Sequence, residues 1–295
     1  MTGRRLVDIG DAELCVEGFG SADDPTLLLV SGAAAAMDWW DAELCRRLAE
    51  GGRHVVRYDH RDTGQSTTGA PGAPSYTGWQ LARDCLGLVG ALDLGPVHLV
   101  GVSMGGGIAQ WLTLQRPDLV ASLTLMSTSA VGGVDADLPG PAPRLSTTFD
   151  TPPPDPDWAD ADSYAAWVLA GARAFAGSVP VDESRVRAVA AEIHARSHDV
   201  AAAGNHWLVV GGDDDEEPGD PLDVRRITAP TLVVHGSQDP LFPLPHGEAL
   251  AAAIPDARLL VLEGVGHEVP PPPTWELVVP ALLAHTAPPG DDRAR

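Results

Sequence analysis

Ser103 stands at the centre of Gly101-Val102-Ser103-Met104-Gly105, a G-x-S-x-G arrangement. The apolar run VHLV at 97–100 directly precedes it, and Ile108 to Gln115 has helical spacing just after it. That context predicts a sharp, strained strand-to-helix turn that lifts the serine hydroxyl clear of a sheet. Bulky side chains at 101 and 105 would collide across such a turn. The helix start would also aim free N–H groups and a positive dipole end at the serine. A plain tight turn would explain the glycines, but not their position between a strand and a helix. A serine hydroxyl is a weak nucleophile and needs a general base. His267 follows the apolar run Arg258 to Leu262 on the flexible stretch Glu263-Gly264-Val265-Gly266, placed to reach over the serine. Alone it would read as a surface loop histidine. The imidazole in turn needs an acid to hold its tautomer and stabilise its charge. Asp239 lies just past Thr231 to His235, on the sheet edge expected to carry a site; its rival role is a helix N-cap. The turn after the preceding strand, Ser127-Thr128-Ser129, offers no carboxylate. Acyl transfer further requires donors for a tetrahedral oxyanion. The Met104 amide is one candidate. Ala33, in the small-residue loop Ser31-Gly32-Ala33-Ala34, is the other, with Gly32 shaping the turn.

The elements that must position these residues alternate along the chain. Strands are predicted at Asp11 to Val16, Thr26 to Val30, His54 to Tyr58, Val97 to Val100, Leu123 to Met126, Thr231 to His235 and Arg258 to Leu262. Helices are predicted at Trp40 to Glu50, Leu81 to Leu92, Ile108 to Gln115, near Glu248 to Ile254, and at Trp275 to His285. Strands alternating with helices imply an α/β fold, with a mostly parallel sheet covered on both faces. The alternation fails between 131 and 225. Val131 to Trp158 is rich in Pro and Gly. Two helical stretches follow, one with Tyr164, Trp167, Val168 and Phe175 near one face, the other with Val186, Val189, Ala190 and Ile193. The acidic run Asp213 to Glu217, leading into Pro218 and Pro221, reads as a solvated loop. Residues 131–225 are therefore expected to form a helical cap insertion. Residues 1–130 and 226–295 would form the core, with a frayed tail from Ala287.

Composition narrows the function classes. The chain has 295 residues, enough for one large domain or a core with an insertion. Its hydrophobic content of 44% excludes disorder as the general state. All 19 basic residues are arginine, against 41 acidic ones, for a net charge of −22. Such a chain repels phosphate backbones and anionic bilayers, so neither nucleic acid nor a membrane is expected as a partner. Cys15, Cys45 and Cys85 are an odd number without metal-like spacing, which suits reduced, buried thiols in the cytoplasm. Met1 to Gly10 has no apolar run of signal-peptide length, and no stretch approaches 18 uninterrupted apolar residues.

With these residues in hand, the chain resembles the α/β-hydrolase fold superfamily along nearly its whole length. More narrowly it is similar to the aclacinomycin methylesterase family, serine esterases that act on anthracycline polyketides. The resemblance rests on LLLVSG, on Tyr58-Asp59-His60-Arg61-Asp62-Thr63-Gly64-Gln65-Ser66-Thr67-Thr68, on Gly101 to Gly105, on His246-Gly247 and on Gly266-His267. The block at 58–68 is specific to the subgroup; the other motifs are shared across the fold. The resemblance implies Ser103, Asp239 and His267 as catalytic residues, in the chain order usual for the fold, and the amides of Ala33 and Met104 as the oxyanion hole. The chain departs from the pattern at Ser31, where most of the superfamily has His, and in its Pro-rich insertion.

The expected function is cofactor-free hydrolysis of a bulky apolar ester, methyl ester or lactone, polyketide-derived by resemblance, through an acyl-enzyme. Carbon–carbon bond hydrolysis and haloperoxidase-type peracid formation use the same triad and stay open, as does a small-molecule receptor built on this fold. Gly32, Ala34, Trp39, Trp167 and Trp207 are candidates for the substrate pocket, where indoles could line an apolar cleft. The same tryptophans could equally be core. No metal is expected: His194 and His198 are four apart on a helical stretch, but HExxH is missing and an exposed cap helix suffices. Asp59 to Thr68 reads as a loop held by Asp/Arg pairing, and His235 and His246 as packing or pocket wall.

Overall fold

The computed structural model describes residues 3–135, 137–210 and 222–287. An eight-stranded sheet runs through the protein, in the order β1-β2-β4-β3-β5-β6-β7-β8. Its strands are β1 (Arg4–Asp8), β2 (Glu13–Phe19), β3 (Thr26–Val30), β4 (His54–Tyr58), β5 (Val97–Val102), β6 (Val120–Met126), β7 (Thr231–Gly236) and β8 (Arg258–Leu262). β1 and β2 are antiparallel to their neighbours, and the pairs from β4 through β8 are parallel. Helices α1 (Ala42–Glu50), α2 (Gly78–Ala91) and α3 (Met104–Gln115) join the early strands. Between β6 and β7 lie α4 (Pro143–Asp150), α5 (Ala161–Phe175), α6 (Glu183–Arg196) and α7 (Asn205–Val209). α8 (Pro245–Ala253) and α9 (Trp275–His285) complete the chain. The acidic run at 213–217 with its two prolines, and residues 288–295, lie outside the described residues.

The alternation of side chains along a strand explains the layers. Along β3, Leu28 and Val30 join a core with Leu81 and Leu88 of α2 and Ile108 and Leu112 of α3. Leu27 and Leu29 point the other way, into a core with Leu44 and Leu48 of α1 and Val278 and Leu282 of α9. All four leucyl and valyl side chains are fully buried. Burial on both faces is why this strand reads as an unbroken apolar run. After β3 the chain passes to β4 on one side, then crosses back to β5 on the other. That reversal opens a crevice at the carboxyl ends of the strands.

Three elements differ from the sequence expectation. β1 precedes the first strand expected from the sequence. It is an edge strand with Leu6 half exposed and Val7 as its buried contact, so its apolar signal is short. α4 forms inside the stretch read as Pro- and Gly-rich loop, because Pro143 occupies the first turn, where its missing N–H costs nothing. α3 also begins at Met104 rather than at Ile108, since three glycines mask its first turn.

The helices between β6 and β7 are pinned to the sheet by an ionic cluster. Arg196, at the end of α6, bonds both Asp38 and Asp59. Asp59 also accepts from the amides of Met37 at 2.9 Å and Gln65 at 3.1 Å. Both carboxylates are almost wholly buried. The loop at 59–68 is thus held by Asp/Arg pairs, Asp59–Arg196 and Arg61–Asp84, and both partners come from elements outside the loop. Removing one partner of a buried pair strands the other charge, at a cost of about 3–5 kcal/mol. Arg196→Leu is therefore expected to lower the free energy of urea unfolding by about that amount. A loss under about 1 kcal/mol would show the pair to be no better than a surface one.

Candidate active site

The residues singled out by chemistry converge on the carboxyl edge of the sheet, each just past a strand end. Ser103 follows β5, Ser31 to Ala34 follow β3, Asp239 follows β7 and His267 follows β8. Ser103 has φ 53° and ψ −119°, the strained conformation expected of a sharp turn. Its amide donates to the Met126 carbonyl at 3.0 Å and its carbonyl accepts from Thr128 Oγ1 at 2.8 Å. The flanking glycines have a steric cause. A Cβ on Gly101 would lie 2.2 Å from the Gly105 carbonyl oxygen, and one on Gly105 would lie 2.3 Å from the Val30 oxygen.

Ser103 Oγ lies 2.9 Å from His267 Nε2, and His267 Nδ1 lies 2.8 Å from Asp239 Oδ2. The Asp239 side chain is fully buried. Its other oxygen accepts from the amides of Leu241 and Phe242, both at 2.9 Å. Asp239 thus does not cap a long helix; its turn aims Oδ2 at the imidazole. Because a carboxylate only accepts, His267 Nδ1 carries the hydrogen and Nε2 presents its lone pair to the serine. Such a relay can take a proton from the hydroxyl as it attacks a carbonyl. The imidazole is flanked by the rings of Phe242 and Phe175, with centroids 5.6 and 5.7 Å away. Burial raises the thiols of Cys15 to about 11 and of Cys45 and Cys85 to about 12, so they remain protonated and unsuited to nucleophilic work at neutral pH.

Met104 is the first residue of α3, where an amide has no acceptor within the helix. Gly32 adjoins Ser103: a Cβ on the glycine would lie 3.4 Å from Ser103 Cβ. The Ala34 amide donates to His206 Nδ1 at 2.9 Å, so it is taken. Ala33 is the residue of this loop between the glycine beside Ser103 and the amide already bonded. Ala34 also lines a recess with Tyr164, Ile193, Val200 and Ala203 of the segment between β6 and β7. Trp39 packs against the buried cluster that includes Ala36, Tyr164 and Ile193. Trp167 is 36% exposed and packs on Trp158 at 5.4 Å, and Trp207 is 52% exposed. The pocket expected around these indoles is thus not assembled by them alone. The residue before Trp207 turns inward instead: His206 is fully buried. Sequence reasoning placed Phe175 on an apolar helix face and passed over His206 and Phe242, because nothing in their spacing points these side chains at distant loops.

The remaining histidines are occupied elsewhere. His194 bonds the Trp158 carbonyl and His198 the Gln65 carbonyl, and the helix they were expected to share ends at Arg196. His246 bonds Ser129 Oγ and the Pro139 carbonyl, and His235 the Phe242 carbonyl. Among the described residues no cluster of three His, Cys, Asp or Glu could hold a metal ion, and no helix is long and apolar enough to cross a membrane.

Burial depresses several imidazoles. His60 falls from 6.5 to about 3 and His98 to about 4, while His54, His206, His235 and His285 are lowered for the same reason. These groups stay neutral in the fold but take up protons when unfolded below about pH 6.5. Their stability contribution is complete above that pH and is lost as the pH falls toward 4 and 3. The urea midpoint should therefore fall steadily between pH 7 and pH 4, and less steeply in His98→Asn. A midpoint flat across that range would contradict the buried, neutral state.

A parallel sheet with its crevice and this serine turn define a class of enzyme. The α/β hydrolase fold family matches residues 25–271, and the chain belongs to it. It is similar over almost its full length to the rhodomycin D methylesterase of a Streptomyces species, at 31% identity with 96% of this chain and 97% of the relative covered. The rhodomycin D methylesterase of Streptomyces peucetius is 30% identical over the same shares. An enol-lactonase from Burkholderia xenovorans shares the fold, with TM-score 0.71 and 20% identity over 95% of this chain and 99% of that one.

Proposed function

We propose that the protein is a serine esterase that hydrolyses the methyl ester of a bulky, largely apolar carboxylic acid of polyketide type. The observation that carries this reading is the bonded chain from Ser103 Oγ through His267 to the buried carboxylate of Asp239. Ser103 Oγ attacks the ester carbonyl as His267 Nε2 takes its proton. The amides of Met104 and Ala33 receive the oxyanion. As the tetrahedral adduct collapses, the departing methoxide oxygen takes the proton back from His267 and leaves as methanol, and the acyl group stays on Ser103. Water, deprotonated by His267, then releases the acid and restores the serine. No cofactor takes part.

The methyl ester is supported by the two methylesterase relatives at 30–31% identity. In this reading residues 131–225 are a cap that roofs the site, and residues 1–130 and 226–295 are the core that performs the chemistry. The three unpaired, buried cysteines suit work in the cytoplasm.

A panel of esters and lactones graded by acyl bulk and by alcohol tests the reading. Methyl esters of polycyclic acids should give the highest kcat/KM, with one equivalent of a phosphonate probe on Ser103. Preferred turnover of vinylogous diketones, or of acetate with peroxide, would instead assign carbon–carbon hydrolysis or peracid formation. Failure of the probe to label would leave a receptor.

A further inference from the structure

The loop between β3 and α1 is held from beneath by two buried imidazoles. His60 Nε2 meets the Ser31 carbonyl at 3.1 Å. His206, from α7, accepts from the Ala34 amide through Nδ1 at 2.9 Å and meets the Arg61 carbonyl through Nε2 at 2.7 Å. The two rings stand edge to face, with centroids 5.9 Å apart. The partners fix the tautomers. An amide only donates, so His206 Nδ1 holds a lone pair; a carbonyl only accepts, so His206 Nε2 carries the hydrogen. The same logic puts the hydrogen of His60 on Nε2. A protonated His206 would aim a second donor at the Ala34 amide, and burial opposes that charge. Ala34 sits at φ 58°, in the left-handed region that a residue with a Cβ avoids without outside support. The His206 bond supplies that support.

We propose that His206 is a positioning residue. By capturing the Ala34 amide it fixes the left-handed turn and leaves the preceding amide, that of Ala33, turned toward the oxygen that develops charge beside Ser103. The proposal rests on the esterase reading above, because it gives His206 a role in oxyanion binding. The chain links α7 to catalysis without contact with the substrate: α7 to His206, His206 to Ala34, Ala34 to the shape of the oxyanion loop. His60 secures the other end of the loop at Ser31.

Half-isosteres separate this role from simple packing. Asn places an oxygen near the position of Nδ1 and keeps an acceptor for Ala34. Gln keeps a donor near Nε2 for Arg61 and loses that acceptor. Leu keeps bulk and loses both. kcat for a methyl ester would be measured per site titrated by a phosphonate, so that unfolded molecules drop out of the comparison. His206→Leu and His206→Gln should each lose about 10- to 100-fold in kcat, with KM changed less than about 3-fold. His206→Asn should recover most of that loss. Wild-type kcat per site in His206→Leu would overturn the proposal, as would an Asn variant no better than Gln. If the phosphonate fails to label Ser103 at all, the esterase reading fails instead, and the two failures are told apart on the same samples.

Discussion

Ser103→Ala is expected to lower kcat for ester hydrolysis by about 10⁴- to 10⁶-fold, with the thermal midpoint close to that of the parent. The change removes only Oγ, which bonds His267 Nε2. The backbone of the turn, held by the Met126 carbonyl and Thr128 Oγ1, stays in place. Residual turnover would come from water acting on substrate bound beside intact oxyanion donors. Substrate affinity should therefore persist, and the variant should bind a methyl ester without consuming it. Turnover of a p-nitrophenyl ester within tenfold of the parent would show that Ser103 is not the nucleophile.

Asp239→Asn is expected to cost about 10⁴-fold in kcat with KM little changed, and the geometry says why. Oδ1 of Asp239 accepts from two backbone amides, so an asparagine must keep its carbonyl oxygen there. Its NH₂ then falls where Oδ2 now faces His267 Nδ1. A donor at that point forces the imidazole to the opposite tautomer, with hydrogen on Nε2 and no lone pair for Ser103. The nearest alternative place for an acid, after β6, holds Ser127, Thr128 and Ser129. No carboxylate stands ready there to rescue the variant. Retention of more than a tenth of the activity would mean that Asp239 does not set the tautomer.

The strands of the parallel sheet were legible because burial on both faces writes itself as short apolar runs. β3, β4, β8 and α9 run between the residues expected of them. The edge strand β1 has one buried contact residue and so leaves little trace. That residues 103, 239 and 267 meet follows from the sequence for a different reason. Ser103 follows β5 directly, and Asp239 and His267 lie a few residues past β7 and β8; the parallel topology gathers such positions on one edge. What surrounds them was not legible. Phe175 reaches His267 from α5, and His206 reaches Ala34 across 172 positions of chain. Such contacts depend on how the segment between β6 and β7 folds back, and local periodicity carries no record of that path. Trp207 is half exposed while its neighbour His206 is buried.

The link after α5 is laced to the histidine loop: Ser178 and Val179 donate to the Gly264 carbonyl, and His267 donates to the Phe175 carbonyl. The fit is close enough that a Cβ on Gly177 or Gly266 would sit 2.2 Å from a facing carbonyl oxygen. Residues 175–179 and the loop that carries His267 are therefore one mechanical piece. In the esterase reading, a chimaera that imports a foreign segment between β6 and β7 while leaving residues 175–179 and 264–267 mismatched would shift His267 as well, so those two short segments should be transplanted together.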